Sequence, residues 1–198
     1  LTYRGEDRVI HSDEMRALLQ GQKQKRKISI GLGALDKIVG GIEGGELISI
    51  GGPTKNGKTL LAQTLTRNIS ENGGKVLWFT FEVPVYQFLQ QVPEAVGFFL
   101  PKTLVTKNLE WVFKRISESK IKHGTDAVFI DNLHHLFDLA NMRNASMDIG
   151  VVIRMLKRIA IALDVTVFVL CHSRKPSETR GALLPQVSEW DLRDSSFI

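Results

Sequence analysis

A glycine-rich stretch carries the clearest chemical signal in the sequence. Residues 52–59, GPTKNGKT, match the pattern G-x-x-x-x-G-K-[ST] in full. In such a loop, backbone N–H groups point at phosphate oxygens, the lysine reaches the β- and γ-phosphates, and the threonine hydroxyl binds Mg²⁺. We therefore expect a nucleotide at Gly52, Pro53, Thr54, Lys55, Asn56, Gly57, Lys58, Thr59 and Leu60. A chance glycine turn would not account for the apolar segment before the loop and the helical pattern after it.

Two carboxylates follow apolar segments further along the chain. Asp131 directly follows the segment DAVFI, where it can hold Mg²⁺ together with Thr59. Glu82 follows KVLWFTF and can orient or deprotonate the water that attacks the γ-phosphate. Each has a plainer alternative, because Asp131 could cap the next turn and Glu82 could cap a helix after Pro84.

Histidines and a cysteine complete the candidate set. His172 follows the apolar segment VTVFVLC and could sense the γ-phosphate by a hydrogen bond, although a histidine at a strand end is often only structural. Cys171 is expected to be a small core residue. His134 and His135 have no partners at zinc-like spacing, so metal ligation by them is not expected.

The segments that must position these residues alternate between two patterns. The predicted strands are 46–51, 75–81, 126–130 and 165–170. The predicted helices are 12–19, 30–39, 58–70, 107–122 and 148–163. Strands that are apolar throughout are buried on both faces, and their alternation with helices predicts an α/β fold, a mostly parallel sheet flanked by helices.

Composition limits the class of protein. Hydrophobic residues make up 43% and charged residues 24% of the 198 residues, which excludes a mostly disordered, collagen-like or disulfide-framework chain. No apolar run approaches the roughly 20 residues needed to cross a bilayer. A single cysteine fits a reducing cytoplasm. The 26 basic residues against 21 acidic ones give a net charge of +5, which permits an anionic partner.

The domain boundary is predicted near residue 28. Residues 1–27 are polar and basic and are expected to form a linker, or alternatively an arm that packs on a neighbouring subunit. Residues 28–198 are expected to form the domain. Because the sequence begins with Leu1 rather than Met, we expect it to be part of a longer protein.

The order of these motifs resembles that of RecA-like ATPases, and more specifically the ATPase domain of DnaB-like replicative DNA helicases. Four stretches carry the resemblance. They are IGLGALD with GGELISIG before the phosphate loop, FTFEVP at 79–84, FIDNLH at 129–134 and DLRDSSFI at 191–198. The resemblance covers residues 28–198, although the stretch between Val83 and Leu109 is shorter than is usual in the family.

The resemblance implies roles for the candidate residues. Lys58 and Thr59 would bind the phosphates of ATP and Mg²⁺, Asp131 would be the Mg²⁺ aspartate, Glu82 the water-activating base and His172 the γ-phosphate sensor, where the helicases often have glutamine. It also implies a ring, expected to be a hexamer, acting at the replication fork in the cytoplasm. A basic finger that completes the neighbour's site lies further along in the family, so we expect the domain to be incomplete at its C-terminal end.

The resemblance further places single-stranded DNA on two loops after the strands. These are residues 138–147 and 173–186, with the basic residues Arg143, Arg174, Lys175 and Arg180. Cations without aromatic residues predict contact with the sugar-phosphate chain and little sequence preference. Ordinary solvated surface charge is the alternative. Two related functions also remain open: a RecA- or RadA-type recombinase and a KaiC-like regulatory ATPase.

Overall fold

The sheet is built from four parallel strands, as the apolar segments predict. The computed structural model describes residue 5 and residues 7–20, 25–105, 108–136 and 145–172, with only the backbone described for 145–148. The strands are β1 (Leu47–Gly52), β2 (Val76–Thr80), β3 (Ala127–Asp131) and β4 (Thr166–His172). Their order in the sheet is β1-β4-β3-β2.

Six helices accompany the strands in the described part of the chain. They are α1 (Ser12–Gln20), α2 (Gly33–Val39), α3 (Lys58–Glu71), α4 (Val85–Gln91), α5 (Leu109–His123) and α6 (Ala145–Leu163), with a 3₁₀ turn at Leu133–Leu136. Among the described residues, no helix has both the length and the apolar character needed to cross a membrane.

Alternate side chains of each strand enter two separate cores. On one face, Phe129 and Phe168 pack with Leu65 and Ile69 of α3. On the other face, residues of the same strands, such as Ile130, pack against α5 and α6. Helices on both faces explain why the strands are apolar throughout.

A stack of aromatic rings crosses the sheet on the α3 face. The ring centroid of Phe129 lies 4.9 Å from that of Trp78 and 4.4 Å from that of Phe168. The Trp78 indole N–H donates to Thr66 Oγ1 at 2.8 Å. The hydrogen bond to Thr66 fixes α3 against β2, and α3 is the helix that begins at the phosphate loop.

Three predicted helix starts were wrong by two or three residues, and one of them is the helix predicted from Lys107, which begins at Leu109. The helix predicted from Ile30 begins at Gly33, because the Ile30 N–H donates to Asp36 Oδ1 at 3.0 Å and Gly31 has a φ of +70°. The last helix begins at Ala145, three residues before the predicted Asp148.

The basic segment before residue 28 contacts the domain. Lys25 Nζ donates to Asp164 Oδ1 at 2.6 Å and to the Gly44 carbonyl at 2.8 Å, and this pairing raises the pKa of the lysine. Arg26 donates to the Gly73 carbonyl at 3.2 Å. Helix α1, further toward the N-terminus, has no buried residue. The end of the basic segment, at Lys25 and Arg26, is therefore hydrogen-bonded to the domain.

Candidate nucleotide-binding site

Strand register brings the carboxyl ends of all four strands to one edge of the sheet. Gly52 of β1 pairs with His172 of β4, and Thr80 of β2 pairs with Asp131 of β3. Ligands of parallel α/β sheets bind at this edge. The phosphate loop, Glu82, Asp131 and His172 all start from it.

The phosphate loop leads directly into helix α3. Gly57 is the residue before the first helical residue and has a φ of +77°, a left-handed conformation that strains any residue with a Cβ. An added Cβ would meet nothing within 4 Å, so the backbone angle and not space requires glycine. The N–H groups of the first helical turn and the positive end of the α3 dipole therefore face the loop, where an anion is stabilised.

Lys58 folds back over the loop. Its Nζ donates to the carbonyl oxygens of Gly52 and Pro53, each at 2.8 Å, and the residue is 8% exposed. Burial lowers the pKa of Lys58, while the nearby carboxylates of Glu82 and Asp131 oppose that shift. The ammonium group is thus held at the loop by acceptors that a phosphate could replace.

Asp131 and Thr59 meet across the sheet edge. The Thr59 hydroxyl donates to Asp131 Oδ2 at 2.8 Å. Asp131 is 4% exposed, and burial raises the pKa of its carboxyl, although the bond from Thr59 acts in the opposite direction. Burying an ionised carboxylate is costly, and a cation bound beside it would offset that cost.

These two side chains fit Mg²⁺. Hydroxyl and carboxylate oxygens are the hard ligands that this ion prefers, and it commonly uses one or two protein ligands together with phosphate oxygens and water. Within the described ranges, no group of three or more histidine, cysteine, aspartate or glutamate residues could hold a metal ion. A magnesium ion here would therefore depend on Thr59, Asp131 and the nucleotide.

Glu82 does not cap helix α4. The N-cap of α4 is Pro84, with no side-chain capping bond. Instead, Glu82 Oε2 accepts a hydrogen bond from Asn132 Nδ2 at 2.7 Å and lies 3.5 Å from His172 Nε2. The Glu82 side chain is 41% exposed. Its carboxylate is therefore tethered at one oxygen and accessible to water.

His172 connects the phosphate loop to the far side of the site. Its Nδ1 lies 3.4 Å from Thr54 Oγ1, and its Nε2 lies 2.9 Å from Asn132 Nδ2. The ring of His134 is 5.3 Å from the His172 ring, and burial lowers the pKa of His134 to about 4. His134 is therefore a neutral packing partner at neutral pH. Cys171 is buried in the core, as predicted, and burial raises the pKa of its thiol to about 11.

Sequence reasoning missed Asn132. It contacts both Glu82 and His172, and the available signal was a polar residue directly after the strand-end Asp131. The predicted DNA-binding residues Arg143, Arg174, Lys175 and Arg180 lie outside the described residues, as does the DLRDSSFI segment. Of the first predicted loop, only residues 145–147 are described, and they form the start of α6.

The parallel sheet, phosphate loop and strand-end carboxylates define an ATPase with a RecA-like fold. The chain belongs to the AAA domain family AAA_25, whose model matches residues 31–178, about three quarters of the chain. Membership of this family implies that the protein uses a nucleotide. No curated protein is significantly similar in sequence.

Solved structures share the fold at low sequence identity. The ATPase domain of G40P superimposes with a TM-score of 0.75 and 19% identity, covering 93% of this chain and 76% of that one. A DnaB-like replicative helicase, whose structure was described with its interactions with primase, gives a TM-score of 0.72 and 20% identity and covers 93% of this chain. This chain spans 53% of that helicase's length. The fold is therefore that of a RecA-like ATPase domain resembling DnaB.

Proposed function

We propose that the chain is the ATP-dependent motor domain of a DnaB-like replicative DNA helicase. In this role it couples hydrolysis of Mg-ATP to movement along single-stranded DNA, as part of a ring of six copies at the replication fork in the cytoplasm. The observation that carries the ATPase part is the convergence of the phosphate loop, Asp131, Glu82 and His172 at one sheet edge. The likeness to G40P and to a DnaB-like helicase supports the helicase part.

The proposed chemistry is mainly positioning and charge neutralisation. The loop amides and Lys58 bind the phosphates, and Lys58 exchanges its carbonyl partners for phosphate oxygens as ATP enters. Thr59 and Asp131 would hold Mg²⁺, which neutralises charge on the phosphate oxygens when it is bound. Each of these groups lowers the cost of charge on the γ-phosphate.

Glu82 is the group proposed to act on water. Its carboxylate accepts the proton of the attacking water while the bond from Asn132 keeps one oxygen in place. His172 reaches the loop through Thr54 and is placed to respond to the γ-phosphate. A basic residue from a neighbouring copy is proposed to complete the site, so efficient hydrolysis requires the assembled ring.

The decisive experiment measures ATP turnover of the full-length protein with and without single-stranded DNA. We expect DNA to raise turnover several-fold, and we expect the protein to unwind a forked duplex in the presence of ATP. DNA stimulation without unwinding would favour a RecA- or RadA-type recombinase. Turnover that is indifferent to DNA would favour a KaiC-like regulatory ATPase and contradict the motor.

A lysine variant shows that the turnover comes from this site. Lys58→Ala should abolish ATP binding or hydrolysis, since it removes the charge that faces the phosphates. Lys114→Ala is the matched control, because Lys114 lies on α5 and pairs with Glu110 at the surface. Unchanged turnover in the Lys58 variant would contradict the site itself.

A further inference from the structure

Asn132 lies between two side chains of the candidate site and faces both. It is 3% exposed and follows Asp131 directly. Its Nδ2 group carries two hydrogens and lies 2.7 Å from Glu82 Oε2 and 2.9 Å from His172 Nε2. Each hydrogen of the amide therefore has an acceptor in the site.

The orientation of this amide is fixed from its other end. Asn132 Oδ1 accepts the backbone N–H of His134 at 3.1 Å. If the amide were turned over, its NH₂ group would face that N–H, and two donors would oppose each other. The bond to His134 therefore directs the Nδ2 hydrogens towards Glu82 and His172.

The amide also favours one tautomer of His172. Because Asn132 Nδ2 can only donate, its contact with Nε2 is a hydrogen bond in the neutral tautomer that carries the ring proton on Nδ1. Nδ1 faces Thr54 Oγ1 at 3.4 Å. A continuous series of polar contacts thus runs from the phosphate loop through His172 and Asn132 to Glu82.

We propose that Asn132 is a positioning residue, whose amide holds Glu82 in place for the attacking water and links it to His172. The inference rests on the proposed function, in which Glu82 is the base. A glutamate has three rotatable side-chain bonds, and this one is 41% exposed, so that without the tether its carboxylate would spread over several rotamers. Misplacing a reacting group by about 1 Å can reduce the rate about 100-fold.

The competing explanation is purely structural. Through Oδ1, Asn132 stabilises the start of the turn Leu133–Leu136, and its Nδ2 contacts could be incidental. Asn132→Asp separates the two explanations. Aspartate has nearly the same shape and keeps an oxygen for the His134 N–H, but has no hydrogen to donate to Glu82 or His172 when it is ionised.

The test measures kcat, KM and the affinity for a non-hydrolysable ATP analogue in the full-length protein. We expect Asn132→Asp and Asn132→Ala to lower kcat about 10- to 100-fold and to change analogue affinity less than about threefold. Asn132→Ser, whose single hydroxyl hydrogen cannot serve both partners, should show a similar loss and replaces Asn132→Asp if that variant does not fold. Asn108→Asp is the matched control, since Asn108 caps α5 through its side-chain oxygen and should turn over normally.

A double variant distinguishes action through Glu82 from an independent effect. In single-turnover assays, adding Asn132→Ala to Glu82→Gln should lower the residual rate less than about twofold, because the group that Asn132 positions is already disabled. A fully multiplicative loss would overturn the inference. Normal turnover in Asn132→Asp, or in its serine replacement, would overturn it as well.

Failure of the inference can be told apart from failure of the proposed function. If Glu82→Gln abolishes hydrolysis while Asn132→Asp is normal, only the role of Asn132 is overturned. If Glu82→Gln retains wild-type turnover, the assignment of the base and the positioning role are both overturned.

Discussion

At the scale of single residues, the site combines a buried carboxylate with one that is partly exposed to solvent. Asp131 is buried beside a hydroxyl donor, whereas Glu82 is half exposed and tethered through an amide. A carboxylate that binds a cation can be shielded from solvent until the cation binds. A carboxylate that takes a proton from water must reach water. The two acids therefore occupy environments that suit the different roles proposed for them.

Replacing Glu82 with glutamine tests its proposed role directly. Glutamine keeps the length of the side chain and an oxygen for Asn132, but it cannot accept the proton of the water. We expect ATP binding within a few-fold of wild type and hydrolysis reduced by about 10²- to 10⁴-fold. Analogue binding and single-turnover hydrolysis, measured on the same preparation, check this. Equal loss of both would assign Glu82 to structure only.

Asp131 predicts a conflict between stability and function. Burial raises the pKa of this carboxyl, so the folded protein holds the proton to a higher pH than the unfolded chain does. The contribution of Asp131 to stability is then most favourable below the pKa of about 4 that the carboxyl has in the unfolded chain. It declines as pH rises through the higher pKa of the folded state. Ionised Asp131 opposes folding at neutral pH.

We therefore expect Asp131→Asn to unfold at higher urea concentration than wild type at about pH 7, with a difference that shrinks towards about pH 4. Mg²⁺-dependent ATP binding should be weakened in the same variant. Urea unfolding at the two pH values and nucleotide titrations with and without Mg²⁺ make the comparison. An Asp131→Asn variant that is less stable than wild type at neutral pH would contradict this account.

The sequence was sufficient to predict the four strands and helix α3, which position the site, but not helix α4 or the contacts within the site. The phosphate loop and Asp131 are recognised from neighbouring residues in the sequence, namely the loop spacing and the apolar segment before the aspartate. Both could therefore be predicted without the structure. The contact between Asn132 and Glu82 joins residues 50 positions apart. It depends on how the ends of β2 and β3 meet, which the residue pattern does not specify.

At the scale of elements, helix α3 connects the binding loop to the sheet. Its first residues are Lys58 and Thr59, and its inner face packs on the aromatic rings of three strands. The strand pattern predicted this helical layer correctly, because strands that show no alternation of polar and apolar residues must be covered on both faces. Helix starts were less predictable, since the Asp36 bond that delays α2 is a single side-chain contact.

Trp78 anchors this layer, and its removal should be costly. The ring is fully buried between Phe88 and Phe129, with centroids 4.6 and 4.9 Å away. We expect Trp78→Ala to lower the free energy of unfolding by about 3–5 kcal/mol, because the packing around the ring disappears and a cavity remains. Urea unfolding followed by circular dichroism measures it. Ile121→Ala, at a side chain 84% exposed on α5, should change stability by less than about 0.5 kcal/mol.

At the scale of the whole molecule, the net charge of +5 concerns partners and not the fold. Lys25 and Arg26 bond to the domain, so part of the basic surplus already has partners within the chain. The proposed contact with DNA would use further basic residues, in the segment that follows β4. The sequence supplies the charge of that segment, and a binding measurement is needed to show what it contacts.

Three basic residues in that segment provide the test. Neutralising Arg174, Lys175 and Arg180 together should weaken binding of the full-length protein to single-stranded DNA. For each phosphate that the protein no longer neutralises, the slope of log affinity against log salt should become shallower by about 0.7. DNA affinities are measured over a series of salt concentrations. ATP binding distinguishes this effect from misfolding, since a misfolded protein would lose ATP binding as well. The control neutralises Lys114 and Lys122, which pair with Glu110 and Glu118 on α5 and should leave the slope unchanged. If the triple variant keeps both the affinity and the slope of the wild type, these residues are solvated surface and the DNA path lies elsewhere on the protein.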